Sequence, residues 1–349
     1  MAVYTTVDKP TDYFETLLYT GNGSTNNITG LDFQPDWCWL KSRSAGYEHA
    51  WYDAPRGATK DLSCSTAEAE QTVATKLTAF NSDGFSLGNN AGTNNNTTTY
   101  AAWNWKANGQ GSSNTSGSIN TTYTSANTTS GVSVITYTGN GSSGATIGHG
   151  LGAVPEVAIV KLRSGGGYDW GVYHASLGAT KNMRLNNTDA IATSTAFWND
   201  TTPTSSLLSL GDNRTVNESG DTYVAYCFAP IQGFSSFNSF VGTGNVNGAF
   251  IYTGFKPAWV MIKCSSAAND EWFIWDRKRL GYNSGNNNFF ADTADVESTA
   301  AANGFDILSN GFKLRTTDTA LNGSGRTYIY MAFAENPFVT STGIPTTAR

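Results

Sequence analysis

The chain has 349 residues, with 21 basic and 27 acidic side chains, a net charge of −6 and only 14% charged residues. Thr, Asn, Ser and Gly supply 149 of the 349 residues, and aromatics another 13%. Disordered chains are poor in aromatics, helical bundles need far more Ala, Leu, Glu and Lys, and a nucleic-acid surface would be basic, so these three classes are excluded. Thr, Tyr, Phe and Trp favour strands while Gly and Asn favour turns, which points to an all-β chain.

The start, MAVYTTVDKPTDYF, has no charged stretch followed by an apolar core, which predicts no signal peptide. No run of about 18 apolar residues occurs, which predicts no membrane insertion. A turn motif, YTGNGS, stands at 19–24, ahead of a proline-led apolar run, PDWCWLK, at 35–41. A strand can start on proline because the missing N–H is least harmful there. Trp51, Asp53 and Gly57 follow. The stretch TAEAEQTVATKL at 66–77 holds helix formers, with Ser65 or Thr66 as N-cap and acids in the first turn, so a short helix is predicted. DGFSLG at 83–88 and the aromatic strand TYAAWNW at 99–105 close the segment.

The same landmarks return twice. YTGNGS recurs at 137–142, and FVGTGN stands at 240–245. PEVAIVK (155–161) and PAWVMIK (257–263) match the first apolar run, lysine for lysine. Trp170, His174 and Gly178, then Trp272, Asp276 and Gly281, take the places of Trp51, Asp53 and Gly57. LLSLG (207–211) with TYVAYCFA (222–229), and NGFKLR (310–315) with TYIYMAFA (327–334), complete the series. Landmarks recurring in one order through three segments predict tandem duplication. In PEVAIVKL both alternate sets of residues are apolar, so a strand covered on both faces is expected.

The expected fold is therefore all-β, with three tandem related β-sandwich units, lectin- or jelly-roll-like, and short helices in the connections. Residues 1–107 would hold the first unit and an N-terminal arm, 136–231 the second, and 232–349 the third with a C-terminal tail. Residues 108–135, rich in Gly, Ser, Asn and Thr, would be a flexible or extended linker. The shorter junction at 231–238 would join the second and third units more rigidly.

Chemistry-bearing patterns are sparse. Cys38, Cys64, Cys227 and Cys264 have no tight spacing and read as buried small hydrophobes. His149 lies in a glycine-rich turn, and His174 replaces an aspartate of the other segments, so both read as structural polar sites. Asp53 and Asp276 could be glycosidase carboxylates, but each lies three residues before an arginine, Arg56 or Arg279, and local pairing in a turn is favoured. Asp212, Asn217, Glu218 and Asp221 share one loop that lacks EF-hand spacing. Sequons at Asn22, Asn96 and Asn217 follow from composition. The reading assigns no catalytic, cofactor-binding or metal residue. Most tryptophans recur at landmarks, but Trp198 lacks such a counterpart; set among turn formers, it is the expected exposed aromatic and the candidate glycan contact.

The segments KPTDYFETLLYTGNGS (9–24), WYDAPRG (51–57), SDGFSLG (82–88), AAWNWKA (101–107) and GHGLGAVPEVAIVK (148–161) resemble a known group. So do VYHASLG (172–178), YTGFKPAWVMIK (252–263), LSNGFKLR (308–315) and YIYMAFAENPF (328–338). The group comprises marine bacteriophage virion structural proteins, tail-fibre-like, with a repeated β-rich domain of unknown function. The resemblance implies a virion protein made in a host cytoplasm. The function expected is a tail-associated or receptor-binding fibre component serving assembly and host attachment. The alternatives are a capsid decoration or head-fibre protein, and a lectin-like or carbohydrate-active module for host surface glycan. Expected partners are other virion proteins, further copies of the chain in a trimer, and a host glycan or receptor, with no nucleic acid.

Overall fold

A computed structural model describes residues 4–280 and 283–346, and nearly all its regular structure is strand. The chain is all-β. Gly281 lies outside the described residues.

Three large antiparallel sheets share one strand order. In the first, Thr99–Trp105 lies between Phe14–Thr20 and Trp37–Ser42, and Ala50–Asp53 continues the sheet beyond Trp37–Ser42. In the second, Thr222–Phe228 lies between Val132–Thr138 and Val157–Leu162, with Gly171–His174 beyond. In the third, Thr327–Pro337 lies between Ser235–Val241 and Phe255–Cys264, with Trp272–Asp276 beyond. The last strand of each segment thus returns to a central place, which requires it to be apolar on both faces.

One face of each large sheet packs on a small sheet. In the first segment, Ile28, Phe85 and Leu87 of the small sheet meet Cys38, Leu40 and Tyr52. In the second, Ile147, Leu208 and Leu210 meet Ala158, Val160 and Ala225. The other faces of all three large sheets share one central core. Trp37 stacks on Trp105 at 3.9 Å and 19°, and reaches Tyr226 at 5.0 Å and Phe228 at 5.6 Å. Phe333 closes the group, 5.6 Å from Trp105 and 6.1 Å from Phe228. Each such pair contributes about 0.5–1.5 kcal/mol beyond its buried area. The proline-led strands Trp37–Ser42 and Val157–Leu162 are buried at every position because both faces have a partner.

The repeated turn motif is folded around a buried asparagine. Asn94 Nδ2 donates to the Gly88 carbonyl oxygen at 2.7 Å and to Asn22 Oδ1 at 3.1 Å, while Asn22 N–H donates back to Asn94 Oδ1 at 3.0 Å. Asn217 does the same with Gly211 and Asn140, and Asn322 ties Thr316 to Thr243. A tyrosine seals each of these corners: Tyr100 accepts from Asn95 N–H and donates to the Ala91 carbonyl. Tyr223 and Tyr328 make the matching pair of bonds. Asn217 therefore belongs to the frame, and its side chain is fully buried.

Three expectations need correction. Residues 66–77 form no helix; Gln71–Thr72 pairs with Lys60–Asp61 instead. Tertiary demand overrides helix propensity here, because the Ala67 carbonyl and the Glu70 side chain bond to the second sheet. Residues 108–135 do not form a loose linker. Tyr123–Asn127 adds a strand to the second large sheet beside Val132–Thr138, and Ile119 is buried against Ile147. The segment is polar because it covers sheet edges, whose N–H and C=O groups need partners. Finally, Trp51 is not the counterpart of Trp170 and Trp272. Trp51 lies opposite Trp39 as Val172 lies opposite Ile159, which leaves His49 at the position of those tryptophans.

Trp37→Ala removes a fully enclosed ring and is expected to cost about 3–5 kcal/mol. Asn217→Ala strands three partners of its carboxamide and is expected to cost about 1–3 kcal/mol. Urea unfolding midpoints of both variants check these values.

Candidate functional site

The chemistry-bearing residues collect where neighbouring sheets meet. Asp53 ends the strand Ala50–Asp53, and the chain turns so that Arg56 folds back on it. Arg56 Nε donates to Asp53 Oδ2 at 2.5 Å, and Arg56 N–H donates to Oδ1 at 2.9 Å. Gly57, at φ +91°, takes the left-handed conformation that completes the turn. Arg279 and Asp276 repeat the pair at 2.6 Å, and all four side chains are fully buried. This is the local pairing that the spacing suggested.

Each position also bonds to the next sheet. Tyr226 Oη donates to Asp53 Oδ2 at 2.7 Å, from the second sheet to the first. His174 Nε2 donates to the Tyr330 carbonyl at 3.2 Å, from the second to the third. Trp103 Nε1 donates to Asp276 Oδ2 at 2.9 Å, from the first to the third. The contacts close cyclically.

The recurring lysines close the same ring. Lys161 Nζ donates to the carbonyl of Ala67 at 3.1 Å, Lys263 to Thr188 at 3.3 Å, and Lys41 to Ala294 at 2.9 Å. Burial pulls Lys41 and Lys161 down to about 8. At the tryptophan position, Trp170 Nε1 donates to Ser63, Trp272 Nε1 to Arg184 and His49 Nε2 to Phe290. Carboxylates strengthen two of the junctions: Glu70 holds Arg56 and Arg163, and Glu297 holds Arg279 and Arg43. In the second-to-third junction Ile191 stands where Glu70 and Glu297 stand, and it makes the matching backbone bond without a carboxylate, Ile191 N–H to the Ser265 carbonyl at 3.1 Å. The short junction is thus not the one reinforced by charge.

This arrangement gives the buried groups little freedom for proton transfer. Each imidazole donates through Nε2 and accepts through Nδ1: His49 from Trp39, His149 from Leu151 and His174 from Ser176. That fixes the neutral tautomer, and burial lowers all three, His174 to about 4. Burial raises all four free thiols, Cys227 to about 12. Among the described residues, no three His, Cys, Asp or Glu side chains cluster as a metal site would require. In the loop at 212–221, Asp221 pairs with Arg214 and Asn217 is committed to the turn motif. Among the described residues, no helix is long and apolar enough to cross a membrane.

Trp198 is not exposed. It is fully buried in the second segment's own core, in the one-turn helix Thr195–Trp198, edge-on to Tyr173 at 5.8 Å. No ring face is free for a sugar, so the glycan-contact expectation fails at this residue. Among the described residues, Phe250 and Tyr252 are 45% and 57% exposed, on the outer strand of the third small sheet, and Phe338 is 37% exposed. A signal was available: the aligned triplets Asn-Ile-Thr (27–29), Thr-Ile-Gly (146–148) and Phe-Ile-Tyr (250–252) keep the inner isoleucine and change only the outward residues. Tyr4 lies beside them, its hydroxyl 2.6 Å from the Gly254 carbonyl and 3.5 Å from Tyr252 Oη. A separate cleft of about 340 Å³ is lined by small polar residues, among them Asn108, Ser113, Asn114 and Thr124.

Residues 9–337 match the family described as Domain of unknown function (DUF7483), and the chain belongs to that family. Among curated proteins, none matches the chain.

Asp292 offers a test of the buried polar frame. Its Oδ1 accepts from Trp272 N–H at 3.0 Å, and its Oδ2 is buried without a partner. Burial, with Glu271 adding to it, pushes this carboxyl up to about 7. A carboxyl raised on folding stabilises most at low pH, and that stability is lost as pH rises from about 4 through 7. Asn186 stands at the matching place and donates to Asp169 at 2.8 Å. Asp292→Asn is therefore expected to raise the thermal midpoint at pH 8 and leave it nearly unchanged at pH 4. Parallel shifts at both pH values would contradict the assignment.

Proposed function

We propose that this member of a family of unknown function is a structural component of a bacteriophage virion, carried on the tail or a fibre, where it serves assembly and host attachment. The sequence resemblance to tail-fibre-like virion proteins supports the reading. The observation that carries it physically is the cyclic frame: the buried Asp53–Arg56 and Asp276–Arg279 pairs are spent on joining sheets. The role is read as non-catalytic for the same reason. A trimer of chains and contact with a host surface glycan or receptor belong to this proposal, with the exposed edge at Phe250 and Tyr252 in place of Trp198 as the candidate contact.

A second reading is favoured by the closed arrangement of three like sheets in one chain. A capsid decoration or head-fibre protein could seat such a body on a three-fold position of the shell, where symmetric surfaces match symmetric surfaces.

Antibody labelling of intact particles made from the genome that carries this gene separates the two. Label on the tail is expected; label on the head supports the second reading; unlabelled particles contradict both. Light scattering of the purified protein tests the trimer, and a stable monomer removes that part. A glycan array and a polysaccharide hydrolysis assay, both blank, remove the lectin or carbohydrate-active alternative.

A further inference from the structure

We propose that the outer edge of the third small sheet, Phe250–Tyr252, docks an extended, uncharged segment of a different protein as an added parallel strand. The inference does not depend on the virion reading. It rests on what the same edge does in the other two segments.

In the second segment the edge is already occupied, by this chain itself. Ile119 N–H donates to the Thr146 carbonyl at 3.0 Å, and Ile119 bridges Ile147 in parallel sense. Ser118 N–H donates to Thr146 Oγ1 and Thr146 N–H to Ser118 Oγ, each at 2.9 Å. Ile119 is 6% exposed. A Cβ on Gly117 would lie 2.3 Å from the Thr146 carbonyl oxygen, so only glycine permits this approach. In the first segment the edge carries Asn27 and Thr29, and Asn27 is held by Ser86 Oγ at 2.8 Å. That bond commits the outward carboxamide of Asn27 to its own sheet.

Among the described residues no added segment pairs with the third edge, and its outward side chains are Phe250 and Tyr252. By register, Phe250 and Tyr252 stand where Thr146 and Gly148 stand: Phe250 faces Lys313 as Thr146 faces Ser209. Hydrogen bonding alternates along an antiparallel edge strand. The Ile251 carbonyl oxygen lies over Gly311, within the sheet, so the main-chain groups of Phe250 and Tyr252 point outward. Main-chain groups of an edge provide affinity for an added strand, and alternate side chains provide selection.

The occupied edge defines the chemistry of the occupant: glycine, a small hydroxyl residue, one aliphatic residue and a small polar residue, in parallel sense. Lys313 beside Phe250 disfavours basic residues. A second copy of this chain is not the donor, because its own segment of this type is engaged within the chain.

The probe is a fluorescent peptide with the sequence of residues 113–122, SNTSGSINTT, titrated into the full-length protein by anisotropy. Saturable binding is expected, with amide-exchange protection confined to 250–252. Phe250→Lys with Tyr252→Lys should weaken it by about tenfold or more, and Asn27→Lys should not. Both side chains point away from the core, and the thermal midpoint checks that the variant folds. Ile119→Asp in the peptide should abolish binding and needs no protein variant. No saturable binding up to about 1 mM overturns the proposal. So does binding indifferent to the edge substitutions, self-association through this edge, or glycan binding at these rings without peptide binding.

Discussion

Each large sheet is apolar on both faces, and that constraint decides the architecture. A small sheet covers only one face. The second face of each sheet must find another partner, and the partners available in a single chain are the other two large sheets. Three sheets turned toward one centre bury all three remaining faces together. The central core accordingly draws Trp37, Trp105, Phe228, Trp259 and Phe333 from all three segments. A chain built as three independent sandwiches would leave these rings in water.

Apolar burial has no direction, so it does not by itself fix how the sheets meet. The polar contacts do. Each junction uses one lysine, one ring N–H and one backbone N–H, all aimed at carbonyls of the neighbouring segment. These are buried donors that would be costly to leave without acceptors. A sheet rotated or shifted against its neighbour would strand several at once. The buried aspartate–arginine pairs act in the same sense: they add little net stability but heavily penalise alternatives. Exchange of Asp for His174 preserves the outward bond while dropping the local arginine, so the position serves the junction first and the turn second.

Much of this was legible beforehand. The strands, their order of landmarks and their two-sided burial follow from proline-led runs with both alternate sets apolar. The local pairing of Asp53 with Arg56 follows from spacing alone. What failed has a common cause. Residues 66–77 look helical and 108–135 look loose because the neighbour that each serves lies far away in sequence. The Ala67 carbonyl is claimed by Lys161, and Ile119 by the edge at Ile147. Residue type pairs Trp51 with Trp170, whereas sheet register matches His49 to it; both His49 and Trp170 donate a ring N–H across a junction, and chemistry shared by different residue types is invisible to identity. Trp198 lacked a landmark counterpart, but absence of a counterpart says nothing about burial.

The surplus of small polar residues takes its meaning from the same frame. Buried carbonyls and N–H groups at corners need compact partners, and Asn94, Asn217 and Asn322 supply several bonds each from one short side chain. Charged side chains would be too long for these corners and too costly to bury unpaired. Thr, Ser and Gly let segments approach edges closely enough to bond, as Gly117 and Ser118 do at Thr146. Low charge and abundant Asn, Thr, Ser and Gly are thus two consequences of one requirement. A fold with many sheet edges and corners inside a single body must satisfy its backbone with short neutral side chains. Where that supply stops, at Phe250 and Tyr252, the edge carries large aromatic side chains in solvent instead.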